Sequence, residues 1–380
     1  MKKILSLVIV LVLSVSMVLS GCSTAEEYVT ENDAALNEAV VATVNGVNVT
    51  QADFNFIYRM MFDEMSQYAQ YYGENWIEQP IDDEGTTVGS YIENSAIEQH
   101  KQLVAIEALA KEYEIDIDDI DDAVKEQKEK VVENYGGEEG YISFLESCRT
   151  TDKAIETYIR KTEIYNRVYE KITSEGGAAY INDEDVEEEF SQSYMTVQHI
   201  LISTKEQTDE DGNTVPARSD EDAQALVSEI LGKIEAGVEF DTLIDEYDED
   251  PGMEAGKYYT FTDGEMVAPF EEASKNLQVG EYTKEAVKTD YGYHIIKKYD
   301  INTEDEAFTN FKQQKANTKV NDVIAKKVET FKVTENKEAV EKYLESWVKE
   351  LVAEVTEKLA ADTGASASGA EVVESEVPAE

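Results

Sequence analysis

The sequence contains few histidines, few prolines, few cysteines and few basic residues. With 3 histidines among 380 residues, acid–base chemistry near neutral pH is restricted to a handful of positions. The 2 cysteines cannot build a disulfide framework, so stability must come from packing. Lys and Arg total 33 against 82 Asp and Glu, a formal net charge of -49. This imbalance excludes nucleic acid as a partner, because phosphate binding needs clustered basic side chains.

What the sequence does contain is typical of a folded chain. Hydrophobic residues make up 42% of the total, and tyrosine alone contributes 22 residues, which argues against global disorder in spite of the charge. The length predicts two to three domains, each with a sizeable core. An anionic membrane surface would repel such an acidic chain unless an anchor held it there.

The amino terminus supplies a candidate anchor. Two lysines precede the apolar run 4–19, which is short for a membrane span and typical of a secretory signal peptide. The run ends in Leu19-Ser20-Gly21-Cys22, which resembles the lipobox of bacterial lipoproteins and implies lipidation at Cys22. The alternative is an ordinary signal peptide or membrane anchor with an incidental cysteine. The lipoprotein interpretation predicts a secreted chain held at the extracytoplasmic face of the cell membrane by acyl groups.

The next region is predicted to be mainly helical. Asn45-Gly46 between β-branched runs predicts a hairpin, because both residues tolerate positive φ. Thr50 with Asp53 predicts a capping box at the start of a helix. Further helical periodicity continues to about residue 190, with Cys148 expected in the core and His100 expected on a solvated helix face. A second amphipathic stripe, Val340 to Val355, needs an apolar partner surface, and the first helical region is the candidate.

Between these helical regions the pattern changes to that of a compact α+β domain. Strands are predicted at 197–202, 285–289 and 293–299, with helices between them. His199 and His294 lie on two of these strands, so they are candidates for a shared site. The alternative is that both are structural residues of the core, with their hydrogen bonds made to neighbouring groups. The sequence has no HExxH or CxxC for zinc, no GxSxG for a serine nucleophile and no Gly-rich phosphate loop.

A family resemblance adds to this interpretation. The segment from Val197 to Asp300 resembles a parvulin-type peptidyl-prolyl isomerase domain. The similarity is carried by QHIL (198–201), GVEFDTL (237–243), YDEDPG (247–252), GEMVAPFE (264–271), VGE (279–281) and TDYGYHII (289–296). The stretch VATVNGVNVTQADF (41–54) and the helices after it are similar to the amino-terminal chaperone region of the PrsA and SurA foldases.

The resemblance implies roles for individual residues. His199 and His294 match the paired histidines on the floor of the isomerase site, and Asp250 matches the Asp or Cys beside the imide. The substrate-binding positions are Met266 and Phe270, which would receive the proline ring, Thr289 beside the second histidine, and Tyr258. No metal or cofactor is implied.

The sequence departs from the family in three places. Where relatives commonly have Gly-Gly-Asp-Leu-Gly, this chain has Ala-Gly-Lys-Tyr-Tyr at 255–259, so Tyr258 replaces a smaller apolar wall residue. Tyr291 also replaces a small residue. The loop 203–222 contains only Lys205 and Arg218 as basic residues, so the basic clamp of phosphate-specific relatives is missing.

The predicted architecture is an α+β parvulin domain, with a small antiparallel sheet flanked by helices, inserted into a discontinuous helical chaperone domain. The predicted segments are a signal peptide (1–22), a tether (23–40), an amino-terminal helical chaperone region (41–194), the isomerase domain (195–300), carboxyl-terminal helices completing the chaperone domain (301–359) and a disordered acidic tail (360–380).

The predicted function is isomerisation of Xaa-Pro bonds in unfolded secreted proteins together with chaperoning of those chains, by a membrane-anchored foldase that resembles relatives able to form homodimers. The alternative is a holdase chaperone whose parvulin-like domain is catalytically silent. A solute-binding lipoprotein is disfavoured, because it needs two domains of alternating strands and helices.

Overall fold

The computed structural model describes residues 34–208 and 214–367. The predicted signal peptide, the lipidation site Cys22, most of the tether and most of the acidic tail lie outside these residues. The described chain divides into two units: residues 34–179 with 319–367 form a helical unit, and residues 180–318 form an α+β unit. Within the described residues, no helix combines the length and apolar character needed to cross a membrane.

In chain order the helices and strands have the following bounds. The first part consists of α1 (34–38), β1 (Val40–Val44), β2 (Val47–Thr50), α2 (Gln51–Met65), α3 (Ala69–Tyr72), α4 (Val88–Glu112), α5 (Ile120–Asn134), α6 (Glu138–Ser147), α7 (Asp152–Thr173) and α8 (Asp183–Ser193). Then follow β3 (Tyr194–Ser203), β4 (Gln207–Thr208), β5 (Thr214–Val215), α9 (Asp220–Glu235), α10 (Phe240–Tyr247), β6 (Tyr259–Thr262) and α11 (Ala268–Asn276). The chain continues with β7 (Val287–Lys288), β8 (Gly292–Tyr299), α12 (Glu306–Val328), β9 (Val333–Glu335) and α13 (Lys337–Ala367).

The predicted hairpin and capping box are both present in the helical unit. Asn45 and Gly46 have φ of 50° and 84°, and Val44 pairs with Val47 across the turn. The side chain of Thr50 accepts a hydrogen bond from the backbone N–H of Asp53, while the Asp53 carboxylate accepts from the Thr50 N–H. A feature that was not predicted is strand β9, which pairs antiparallel with β1 and completes a three-stranded sheet.

Helix α13 confirms the predicted stripe by burying Val340, Leu344, Trp347 and Leu351 in the core of the helical unit. The Trp347 ring lies 5.6 Å from that of Tyr58 on α2. Burial of an aromatic side chain of this size contributes on the order of 3 kcal/mol. Packing of α13 therefore joins the carboxyl-terminal segment to the amino-terminal helices in one core.

One prediction about this unit is wrong. His100 was expected on a solvated face, but it is only 4% exposed. It lies among residues of α2 and α7, including Phe56 and Lys161, because α4 packs against both of those helices. Cys148, in contrast, is buried as expected.

The α+β unit is built on a four-stranded antiparallel sheet of order β6-β3-β8-β7. One face of the sheet packs on α9 and α10 through residues such as Ile200 and Ile295. The other face packs on α11 through residues such as Val197, Ile296 and Phe270. The sheet therefore has two separate apolar layers, one on each side.

The boundaries of this unit lie outside the predicted range 195–300. Phe190 of α8 stacks on Tyr194 at 4.2 Å and contacts Phe308 and Phe311 of α12 edge to face, at 5.2 Å and 5.4 Å. This aromatic cluster holds α8 and the first part of α12 to the sheet. The sequence did not reveal it, because both helices look like continuations of the neighbouring helical texture.

Candidate functional site

The two strand histidines meet on one face of the sheet. In the antiparallel pair of β3 and β8, Leu201 lies opposite His294 and His199 lies opposite Ile296. Cross-strand partners share a face and side chains alternate along a strand, so His199 and His294 are diagonal neighbours on the α11 side. They are 2% and 5% exposed, respectively.

A chain of hydrogen bonds runs through these histidines. Nδ1 of His199 lies 3.1 Å from Nδ1 of His294, and Nε2 of His199 lies 2.9 Å from Oδ2 of Asp250. At the other end, Oγ1 of Thr289 lies 2.8 Å from Nε2 of His294. Oγ1 of Thr289 also accepts a hydrogen bond from the backbone N–H of Tyr291 at 3.1 Å.

Burial and the neighbouring His199 lower the pKa of His294 to about 4, so His294 is neutral at physiological pH. With His294 neutral and the Asp250 carboxylate ionised, one proton arrangement can satisfy every bond in the chain. His199 donates from Nε2 to the Asp250 carboxylate, His294 donates from Nδ1 to Nδ1 of His199, and Thr289 donates to Nε2 of His294. In this arrangement each ring nitrogen has a hydrogen-bond partner.

Asp250 is fixed by several donors. Besides His199, the Tyr259 hydroxyl donates to Oδ2 at 3.0 Å and the backbone N–H of Gly252 donates to Oδ1 at 2.9 Å. The hydrogen bond from His199 is the largest cause that lowers the pKa of Asp250, to about 2. Asp250 is therefore a permanent anion at the edge of the site.

The loop that carries Asp250 is held by Asp248. The Asp248 carboxylate accepts hydrogen bonds from the backbone N–H of Leu201 at 2.7 Å and of Asp250 at 3.2 Å. Burial raises the pKa of Asp248 to about 6. This carboxylate ties the loop to strand β3, which positions Asp250 against His199.

The apolar wall of the site comes from α11, strand β6 and the turn between them. The ring of Phe270 stands edge-on to both imidazoles, with centroid distances of 5.2 Å to His199 and 5.3 Å to His294. Phe261 lies 6.0 Å from Phe270, and Met266 packs half-buried against the same cluster. An apolar surface thus borders a polar floor.

Tyr258 is not where it was predicted to be. Its ring packs edge to face on Tyr299 at 4.9 Å, and Tyr299 belongs to the β8 residues that alternate away from His294. The neighbouring residue, Tyr259, pairs with Val197 and faces the histidines, with its ring 5.4 Å from that of His199.

Sequence reasoning missed Tyr259 as a site residue, although two signals for it were present. One was the alternation of side chains along the strand, and the other was the departure from the family motif, whose final glycine is Tyr259 here. A Cβ at Gly252 would collide with the Tyr259 hydroxyl, so a larger residue at 252 would displace the Tyr259 side chain from its present position.

The arginine of the loop near the site is engaged within the loop itself. The Arg218 guanidinium makes two hydrogen bonds to the Glu249 carboxylate, at 2.7 Å and 2.6 Å, and one to the carbonyl of Ser203 at 3.0 Å. Tyr291 is 57% exposed and reaches the network only through its backbone. Within the described residues, no group of three or more His, Cys, Asp or Glu side chains is arranged to hold a metal ion.

Comparison with known families agrees with this geometry. Residues 185–302 match the PPIC-type PPIASE domain and residues 1–169 match the SurA-like N-terminal domain. The α+β unit that carries the paired histidines is therefore similar to PPIC-type domains, and the region before it is similar to the SurA-like N-terminal domain.

Among individual proteins, the chain is similar to the PrsA foldases. It is 33% identical over 156 residues to the foldase protein PrsA of Geobacillus kaustophilus, covering 39% of this chain and 55% of that relative. It is 27% identical over 333 residues to foldase protein PrsA of Caldanaerobacter subterraneus subsp. tengcongensis, covering 86% and 92%. The crystal structure of PrsA from Bacillus subtilis is 24% identical over 67% of this chain and 93% of that chain, with a TM-score of 0.25.

Proposed function

We propose that this protein is a lipid-anchored foldase that isomerises Xaa-Pro bonds in secreted polypeptides at the extracytoplasmic face of the membrane and chaperones those chains. The observation that carries the proposal is the pair of buried, mutually hydrogen-bonded histidines, with Asp250 at one end and Phe270 above them. The helical unit is proposed to hold the unfolded client while the site acts.

The chemistry of the reaction suits these residues. Rotation about an amide faces a barrier of about 18–20 kcal/mol, because the C–N bond must lose its resonance. No bond breaks and no proton must leave, so the site has to favour the twisted amide. The apolar surface of Phe270 and Met266 can hold the proline ring, while fixed dipoles of the His199–His294 pair and the Asp250 charge act on the twisting carbonyl and nitrogen.

Because Asp250 accepts several hydrogen bonds and stays ionised, its proposed role is electrostatic and orienting. It holds His199 in one tautomer and contributes a fixed negative charge. The catalytically silent alternative depended on Tyr258 narrowing the pocket. The contact of Tyr258 with Tyr299, on the other face of the sheet, removes that reason and supports catalysis.

The membrane anchor is proposed from the lipobox-like segment ending in Cys22. A Cys22→Ser variant should appear in the culture medium instead of the membrane fraction, and mass spectrometry of the native amino terminus should detect a diacylglyceryl cysteine. Retention of the variant in membranes would contradict anchoring through a lipid on Cys22. Homodimerisation, which the resemblance implies, can be measured by sedimentation.

The catalytic proposal is tested with short Xaa-Pro peptides and the purified chain, beside a His294→Ala variant. We expect wild-type activity and a fall of at least about a hundredfold in the variant, because both hydrogen bonds that set the tautomers are lost. Circular dichroism controls for folding. If the wild-type chain does not isomerise the peptides but still suppresses aggregation of an unfolded client, the protein is a holdase.

A further inference from the structure

The helical unit contains an open groove that its own core does not fill. The groove has a volume of about 550 Å³ and runs between α13 and the segment that links α3 to α4. Its apolar lining is Tyr58, Ile77, Leu344, Val348 and Val352. A groove of this size and composition can accept one or two apolar side chains of an extended peptide.

The groove is bordered by carboxylates. The charged residues that line it are Glu74, Glu78, Glu93, Glu341, Glu345 and Lys349. The single lysine is already opposite Glu345, at 3.7 Å. Among the side chains that the structure describes, no ion pair involves the other four glutamates, so negative charge predominates along the rim beside an apolar floor.

The pKa of Glu93 reflects the carboxylates that lie near it. Burial raises its pKa, and the nearby carboxylates of Glu341 and Glu335 raise it further, against the opposing effect of Lys337. Like charges that face one another across a partly buried surface are relieved by a cation placed between them. The rim therefore favours an occupant that brings positive charge to the groove.

We infer that this groove binds unfolded client segments in which an apolar side chain is flanked by Lys or Arg. The inference rests on the proposed foldase function and names the class of client segment that the helical unit captures. An acidic or phosphorylated segment and an anionic lipid surface are repelled by the rim.

A second surface groove of the helical unit provides a matched control. It lies along α5 and α7 and has a volume of about 670 Å³. Its charged lining is mixed, with the acids Asp121, Glu129, Glu133 and Glu156 beside the bases Lys125, Lys128 and Arg160. Because opposite charges nearly balance there, this groove has no electrostatic reason to prefer a basic segment.

The experiment uses two fluorescently labelled, proline-free peptides with the same Leu-Phe-Leu centre, flanked by lysines in one and by glutamates in the other. Binding to the purified chain is measured by anisotropy at low and high salt. We expect the lysine peptide to bind at least about tenfold more tightly, and this preference to shrink in salt. The triple variant Glu93→Gln, Glu341→Gln, Glu345→Gln should remove most of the preference, whereas Glu129→Gln with Glu133→Gln should retain it.

Equal binding of the two peptides, or a preference unchanged by the triple variant, would overturn the inference. Binding of neither peptide would overturn it too. Isomerase activity on Xaa-Pro peptides is measured separately on the same preparations. A negative binding result therefore does not contradict the proposed isomerase function. Circular dichroism and tryptophan fluorescence of the triple variant show whether the helical unit, which holds both tryptophans, is still folded.

Discussion

The hydroxyl of Tyr259 donates a 3.0 Å hydrogen bond to Oδ2 of Asp250, the same oxygen that lies 2.9 Å from Nε2 of His199. The carboxylate is thus shared between the histidine and a tyrosine that stands where relatives commonly have glycine. Asp250 in turn raises the pKa of Tyr259, together with the larger effect of burial, so the phenol stays a donor. Tyr259 therefore positions the Asp250 anion that orients His199.

Replacing Tyr259 by Phe should remove the hydrogen bond to Asp250 while keeping the aromatic ring in the site. Loss of one donor should raise the pKa of Asp250 from about 2 toward the ordinary aspartate value, by less than loss of the His199 hydrogen bond would. We expect kcat/KM to fall between about threefold and tenfold, since a hydrogen bond to a charged group is lost. Carbon-13 NMR of the Asp250 carboxyl during a pH titration measures the first effect and a peptide assay the second.

The matched control is Tyr258→Leu, at the neighbouring position. Because Tyr258 packs on Tyr299, this change should leave the pKa of Asp250 and the activity within about twofold of wild type. A large change in Tyr258→Leu together with none in Tyr259→Phe would show that the assignment of the two tyrosines to the faces of the sheet is mistaken.

His100 should make the helical unit sensitive to acid. Burial is the main cause that lowers its pKa from 6.5 to about 4, and Asp53 and Lys161 modulate the effect in opposite directions. In the unfolded chain the imidazole protonates near pH 6.5, while in the folded unit it stays neutral. Its stabilising contribution is therefore complete above pH 6.5 and is lost as the pH falls toward 4, by up to about 3 kcal/mol.

Urea titrations followed by tryptophan fluorescence measure this effect in one unit alone. The chain has 2 tryptophans, Trp76 and Trp347, and both are buried in the helical core. The variant His100→Leu removes the titrating group, so its free energy of unfolding should depend less on pH between 4 and 6.5. An identical pH dependence in wild type and variant would show that other groups are responsible.

Trp347→Ala should destabilise the helical unit by about 3–5 kcal/mol, because it deletes a fully buried ring that packs on Tyr58. Fluorescence of the remaining Trp76 follows the unfolding. Isomerase activity on short peptides should stay within about twofold under conditions where the variant is folded, since the site residues all lie in the α+β unit. Parallel loss of activity would show that the two units depend on each other.

Phosphorylated substrates should gain no advantage. The Arg218 guanidinium is already engaged by Glu249, and the chain carries a large negative charge that disfavours a phosphate dianion. We expect a phosphoserine-proline peptide to turn over no faster than its unmodified twin. Much faster turnover of the phosphopeptide would require Arg218 to leave Glu249 on binding.

Several features could be predicted from the sequence because they depend on residues close together in the chain. The Asn45-Gly46 hairpin, the Thr50 capping box and the α13 stripe all follow from backbone preference and helical period. The family resemblance placed His199, His294, Asp250, Phe270, Met266 and Thr289 in one site, and these residues do lie together in the structure.

Other features were decided by contacts between distant segments. The pattern around His100 shows a polar face on α4, but burial came from α2 and α7 covering that face. Two adjacent tyrosines look alike in sequence, yet pairing of β6 with β3 turns Tyr259 toward the histidines and leaves Tyr258 against Tyr299. Local periodicity reports which faces are apolar, whereas only the packed chain determines which neighbours cover them.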